Sequence, residues 1–346
     1  MKNHLFTAFL FLAFANESTA QLGGQEAYGF LRLPQSARVQ ALGGVLITVH
    51  DDDAALAYSN PAALNKTMHK ALTFNTGLVA PGIVAGYAGY AHYIKKGVTV
   101  HGGVQYLNYG KFVTADDMGN TNGNFSASDY AITLGASQRF TRKYSMGANV
   151  RFITSQLESY HSSALALDLA AMYTDTAHGL VVAAVLRNAG TQLSTYAGSP
   201  ENVPTDLQIG ISKRLRRLPF RISATAQHLN RWNIRYDDPN SLKETNIFGE
   251  QVKEDTSLNW LDNAARHVVL GGEFLLGKRE NLRLRVGYNY LRTKELLPKN
   301  GRGILGLSVG VGLKISKFRI EYGHEFRHFA GNSDFISIAT NLSEFK

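Results

Sequence analysis

Gly303 to Lys314 (GILGLSVGVGLK) and Lys317 to Phe326 (KFRIEYGHEF) alternate apolar with polar or small residues almost without a break, and only Ile315 and Ser316 separate them. Apolar side chains at every second position describe a strand with one oily face and one wet face. The same unit recurs backwards along the chain from Ser343 to Leu72, giving fourteen such segments. An even number of two-faced strands in series predicts an all-β fold, a transmembrane antiparallel barrel with lipid outside and water or a plug within.

The faces can be assigned strand by strand. Tyr144, Met146, Ala148, Val150 and Phe152 oppose Ser145, Gly147, Asn149 and Arg151. Phe220, Ile222, Ala224 and Ala226 oppose Arg221, Ser223, Thr225 and Gln227, and Leu282, Leu284, Val286 and Tyr288 oppose Arg283, Arg285, Gly287 and Asn289. An arginine on the lipid side at mid-depth costs about 2 to 4 kcal/mol, so Arg151, Arg221, Arg283 and Arg285 are expected to face the lumen and make it wet and cationic.

Short and long connections alternate. Lys95-Lys96, Thr141-Arg142 and Ile315-Ser316 are tight, the first two carrying basic residues, whereas Gly110 to Ser126, Ala189 to Pro204, Asn230 to Ala265 and Thr293 to Arg302 are long. All the long links fall at one end of a barrel, an arrangement a soluble β-sandwich has no reason to adopt. Strands are expected to run up to both margins of these links, including Asn281 to Arg292 before the last of them and Gly303 to Lys314 after it.

Residues 1–20 read as an export signal, with Lys2, the apolar stretch Leu5 to Ala15 and the small residues Ser18-Thr19-Ala20 in order. That apolar stretch is too short to span a bilayer as a helix. The absence of cysteine in an exported chain leaves ladder hydrogen bonds and ring closure to hold the fold. The formal charge of +9 could signal nucleic acid, but after export the anionic counter-surface is outer-membrane lipid headgroups, and no nucleic-acid partner is expected.

Residues 21–71 do not alternate, and residues 72–346 make the barrel. The first segment carries Asp51-Asp52-Asp53 and then Ser59-Asn60-Pro61-Ala62; acids belong at a helix start, and Asn60-Pro61 is a cap and first-turn pair. Too short and polar for a domain, it is expected to sit inside the barrel as a partly helical plug. The three consecutive acids lack the alternating spacing of a calcium loop.

Asn60-Pro61-Ala62 just before the first strand of a fourteen-strand exported chain resembles the Asn-Pro-Ala signature of FadL-like outer-membrane barrels. Tyr28-Gly29-Phe30-Leu31, Ser36-Ala37-Arg38, Ala41-Leu42-Gly43-Gly44 and the acidic run, in that order, resemble the PorV/PorQ barrels of the Bacteroidetes type IX secretion system. This resemblance implies a non-enzymatic barrel of the cell-surface attachment complex. Its partners would be a PorZ-like surface protein and the PorU/PorV attachment complex. The alternative within the wider family is a channel for hydrophobic small molecules.

His324-Glu325-Phe326-Arg327-His328 matches the metal-binding pattern of zinc proteases. That chemistry needs a helix, because on a strand the two histidines stand roughly 13 Å apart. The alternation of Phe318, Ile320, Tyr322 and His324 against Arg319, Glu321, Gly323 and Glu325 favours the strand, so no catalytic or metal residue and no cofactor is expected. The longest link carries Trp232, Tyr236, Phe248 and Trp260 among four basic and seven acidic residues. Exposed aromatics ringed by polar groups suit a docking surface, and equally suit pinning of the loop to the rim.

Overall fold

The computed structural model describes residues 26–115, 118, 120–235, 256–277, 280–296, 304–328 and 331–345; the export signal, Tyr236 and Phe248 lie outside them. Fourteen strands form one closed antiparallel barrel: β1 Ala71–Ala80, β2 Ile83–Lys95, β3 Val98–Ala115, β4 Thr121–Arg139, β5 Tyr144–Leu157, β6 Tyr160–Asp175, β7 Leu180–Ser194, β8 Asp206–Arg214, β9 Phe220–Ala226, β10 Val268–Leu276, β11 Leu282–Asn289, β12 Leu307–Ile315, β13 Phe318–His328 and β14 Gly331–Asn341. Each strand pairs with its sequence neighbours, and β1 closes the ring on β14 from Ala71↔Asn341 to Leu78↔Asp334. Closure satisfies every ladder and leaves no edge to hydrocarbon.

The period of two decides both faces. Phe74, Ile132, Leu134, Met146, Phe152, Ile211, Leu270, Phe274, Ile320 and Ile338 are exposed on the outside of the wall. Thr73, Thr133, Asn149, Gln208, Thr225 and Ser308 are buried on the inside. Burial is thus inverted relative to a protein surrounded by water, as a bilayer solvent demands.

The interior is filled by residues 26–70. Ala27 donates its N–H to the Asn202 carbonyl at 3.0 Å, within the β7–β8 link at the end of the long connections (the loop end). From there the segment descends through helix α1 Ala37–Ala41 and short 3-10 turns at Ala54–Tyr58, Pro61–Ala63 and Lys66–Met68. It joins β1 at the opposite end, where the connections are tight (the turn end). Phe30, Leu31 and Ala37 pack against small inward residues of the wall, among them Ala85, Ala131, Ala164 and Ala166. A fully buried Phe or Leu is worth about 1.5–3 kcal/mol, so these alanines are sockets for the plug. Two inward glycines are required by the same fit. A Cβ at Gly147 would stand 2.6 Å from the Pro61 carbonyl carbon, and one at Gly323 would meet the α1 backbone at Ala37.

Sequence and structure part company at the loop end. The link Gly110 to Ser126 is mostly strand: Lys111↔Ser126 to Thr114↔Gly123 extend the β3–β4 hairpin, with the Phe112 and Phe125 rings stacked at 5.1 Å. β11 stops at Asn289 rather than running to Arg292, because the Asn289 side chain accepts the Arg292 N–H at 3.4 Å and opens helix α3, Tyr290–Leu296. The long link between β9 and β10 ends in helix α2, Thr256–Arg266, which takes Arg266 out of the expected strand. β12 begins only at Leu307, because Gly306 adopts φ 79° and its carbonyl accepts the Asn289 N–H.

Candidate functional site

Asn60 is fully buried and organises the plug's contact with β5 and β6. Its Oδ1 accepts the Ala62 N–H at 2.9 Å, its Nδ2 donates to the Ile47 carbonyl at 2.6 Å, and Ser145 Oγ donates to the Ala62 carbonyl at 2.8 Å. Pro61 supplies the first-turn φ that the cap needs. Just before this motif, the Tyr58 carbonyl accepts Arg151 Nη2 at 2.5 Å, and the Arg151 guanidinium lies 3.9 Å from the Tyr58 ring centroid. Arg151 also donates to Asp168 through Nε at 3.0 Å, and Asn149 Nδ2 reaches the same carboxylate at 3.0 Å.

The other side of the plug is fixed by Arg38, whose side chain has no exposed surface. It forms two 3.0 Å bonds to the Glu273 carboxylate, and it reaches Asp51 at 2.8 Å and Asp53 at 3.1 Å. Ser36 caps its helix by accepting the Val39 N–H at 3.3 Å. Glu273 receives Arg221 at 2.8 Å and Arg285 at 2.9 Å as well; Arg285 continues to Glu321 at 2.7 Å, and Arg319 pairs with Asp52 at 2.6 Å.

Arg151, Arg221, Arg283 and Arg285 all face inward. The wet, cationic lumen expected around them does not form. Acids on neighbouring strands and on the plug pair closely with Arg151, Arg221 and Arg285, because burying a guanidinium unpaired is costly. The Asp51-Asp52-Asp53 run is counter-charge to Arg38, Arg221 and Arg319. Sequence reasoning singled out the arginines and missed Asp168, Glu273 and Glu321, although each stands at an inward position of an alternating strand.

His324 and Glu325 occupy opposite faces of β13. His324 Nδ1 bonds Asp334 at 2.7 Å outside, whereas Glu325 accepts Gln40 at 2.6 Å and Arg327 at 2.9 Å inside, together with Arg292. The helical pairing that zinc chemistry requires is therefore not made by these residues. Among the described residues, no group of three or more His, Asp or Glu side chains is placed to hold a metal.

At the loop end, Trp232 is half pinned and half free. Its ring stacks on His267 at 5.2 Å while 53% of its surface remains exposed. Trp260 and Leu261 of α2 are 59% and 57% exposed. α2 is tied to α3 through Asp262, which accepts Tyr290 OH at 2.6 Å and pairs with Arg266 at 2.8 Å and Lys294 at 3.5 Å. Beneath α3 lies a chamber of about 360 Å³. The plug lines it with Arg32 and Val45, the inner faces of β7 and β8 with Arg187, Asp206 and Gln208, and α3 with Arg292.

No protein-family model and no curated protein matches the chain. Solved structures match over nearly its whole length. The toluene transporter TbuX of Ralstonia pickettii is 12% identical, covering 90% of this chain and 99% of that one, with a TM-score of 0.53. The toluene transporter TodX of Pseudomonas putida is 13% identical, covering 90% and 98%, also at 0.53. A FadL homologue of Pseudomonas aeruginosa is 10% identical, covering 89% and 98%, at 0.50. The chain shares the barrel fold of these structures.

Proposed function

We propose that this chain is a plugged outer-membrane barrel that anchors a surface protein at its loop end, rather than a conduit. The observation that carries the reading is the exposed apolar surface of Trp232, Trp260 and Leu261 above a lumen filled by the chain's own bolted N-terminal segment. Aromatic anchors with a polar surround concentrate binding energy at protein interfaces. The order of motifs between Tyr28 and Leu64 supports the finer assignment, a type IX secretion attachment barrel holding a PorZ-like protein within the PorU/PorV complex. The outward apolar belt supports residence in the outer membrane.

A second reading, passage of hydrophobic small molecules, is favoured by the likeness to barrels described as toluene transporters. Against it, the loop-end chamber is lined mainly by charged and amide side chains, which offer an apolar solute little. Deletion of residues 232–260 separates the two. Anchoring predicts that the surface partner is shed into the medium while the barrel stays heat-resistant in the membrane. Transport predicts that the partner is unaffected and that toluene uptake by cells carrying the barrel exceeds that of cells without it. A partner retained after the deletion overturns the anchoring role of this loop.

A further inference from the structure

Among the described residues, the loop-end chamber contains one buried cation without a counter-ion. Asn188 has φ 53° and donates its N–H to Asp168 Oδ1 at 2.8 Å, a bulge that interrupts the β6–β7 register between Leu167 and Leu169. The bulge turns two consecutive side chains, Arg187 and Asn188, to the inside, where both are buried. Arg187 is 8% exposed and lines the chamber. Among the described residues its Nε has no hydrogen-bond partner, and its Nη2 reaches only the Leu31 carbonyl, at 3.5 Å.

The surrounding charges do not neutralise it. Arg151 shares the Tyr58 ring with it, the guanidinium carbons standing 3.9 and 5.6 Å from the centroid, so its near neighbour is a like charge. Among the described residues, no carboxylate lies within 4.0 Å of Arg187, whereas Arg32 pairs with Glu26 and Arg292 with Glu325. Of the chamber's own acids, Asp206 is engaged by Gln208 Nε2 and the His228 N–H, each at 2.6 Å, and Glu295 sits exposed on α3. A buried guanidinium left unpaired is expensive, and a fork of donors aimed into a cavity is the usual recognition element for a carboxylate or phosphate group.

We infer that the loop-end chamber is a binding site for a small polar anion, a carboxylate or a phosphate, with Arg187 as its primary ligand. Gln208 Oε1, which has no partner among the described residues, and the Gln227 amide, which also lines the chamber, serve the rest of the solute. The volume of about 360 Å³ suits a molecule of sugar-acid or sugar-phosphate size rather than a lipid tail. This inference stands independently of the anchoring role.

Isothermal titration of the full chain in neutral detergent at low salt, with inorganic phosphate and separately with citrate, tests it. At least one anion binds the wild type, and the stronger of the two identifies the class. Arg187→Gln weakens that binding about tenfold or more while the heat-resistant barrel persists, since a charge-assisted bond is lost. Should Arg187→Gln fail to fold, Leu291→Trp fills the chamber from α3 without removing a charge and abolishes binding. Absence of binding by both anions to the wild type, or unchanged affinity in the folded variants, overturns the inference.

Discussion

Arg38 bridges one plug helix and one wall strand with its whole donor set. Substituting alanine leaves Glu273, Asp51 and Asp53 buried with fewer partners, at a cost of about 3–5 kcal/mol. Arg38→Ala is expected to make the segment around residues 26–70 trypsin-sensitive in purified barrel, while strand content by circular dichroism stays unchanged. Equal loss of both would show that the plug and wall fold as one unit. Alternation made the inward arginines legible, because only their placement relative to lipid was at issue. Their partners were not, since Arg38 meets Glu273 across most of the chain, and periodicity carries no information about pairing between distant segments. The pattern His324-Glu325-Phe326-Arg327-His328 shows the converse: a residue string has chemical meaning only on the backbone that brings its members together, and here the strand sends His324 out and Glu325 in.

Among the elements, the α2–α3 latch is governed by Asp262. Burial would raise this carboxyl, but the Tyr290 hydroxyl and Arg266 outweigh that and hold it below the ordinary range. A depressed carboxyl contributes stability that is present above its unfolded value, near pH 4, and is lost as pH falls through the folded value. The latch is therefore expected to hold from pH 5 to 8 and to loosen only in stronger acid, seen as a shift in Trp260 fluorescence. Asp262→Asn should show the acid-like spectrum at neutral pH. At the opposite face of the plug, Gly323→Val drives a side chain into the Ala37 backbone and is expected to unseat α1, lowering the melting temperature by several degrees with the strands intact. The strands could be read because a two-residue period repeats many times over. Helices α2 and α3 could not, because eleven and seven residues give too few turns for a 3.6-residue period to stand out from a polar link. The extension of β3 and β4 past Gly110 was hidden by the glycine and by mixed polarity where the hairpin leaves the lipid belt.

For the whole molecule, the fourteen-strand ring was legible in full and the sorting of its connections in outline, since both follow from the solvent on either side of the wall. What fills the ring was legible only as a location. A barrel whose lumen is occupied by bolted residues is expected to be electrically silent in planar bilayers, and deletion of residues 26–64 should convert it to a conducting pore. A large steady conductance in the intact protein would contradict the filled interior. The path of that segment has one more consequence. Because Glu26 and Ala27 lie against Asn202 beneath the long connections, whereas Ala71 begins the wall at the far rim, the polypeptide threads the cylinder from top to bottom before it builds it. A short epitope placed directly ahead of Glu26 would therefore be displayed to antibody on intact cells, on the face opposite to one appended after Phe345.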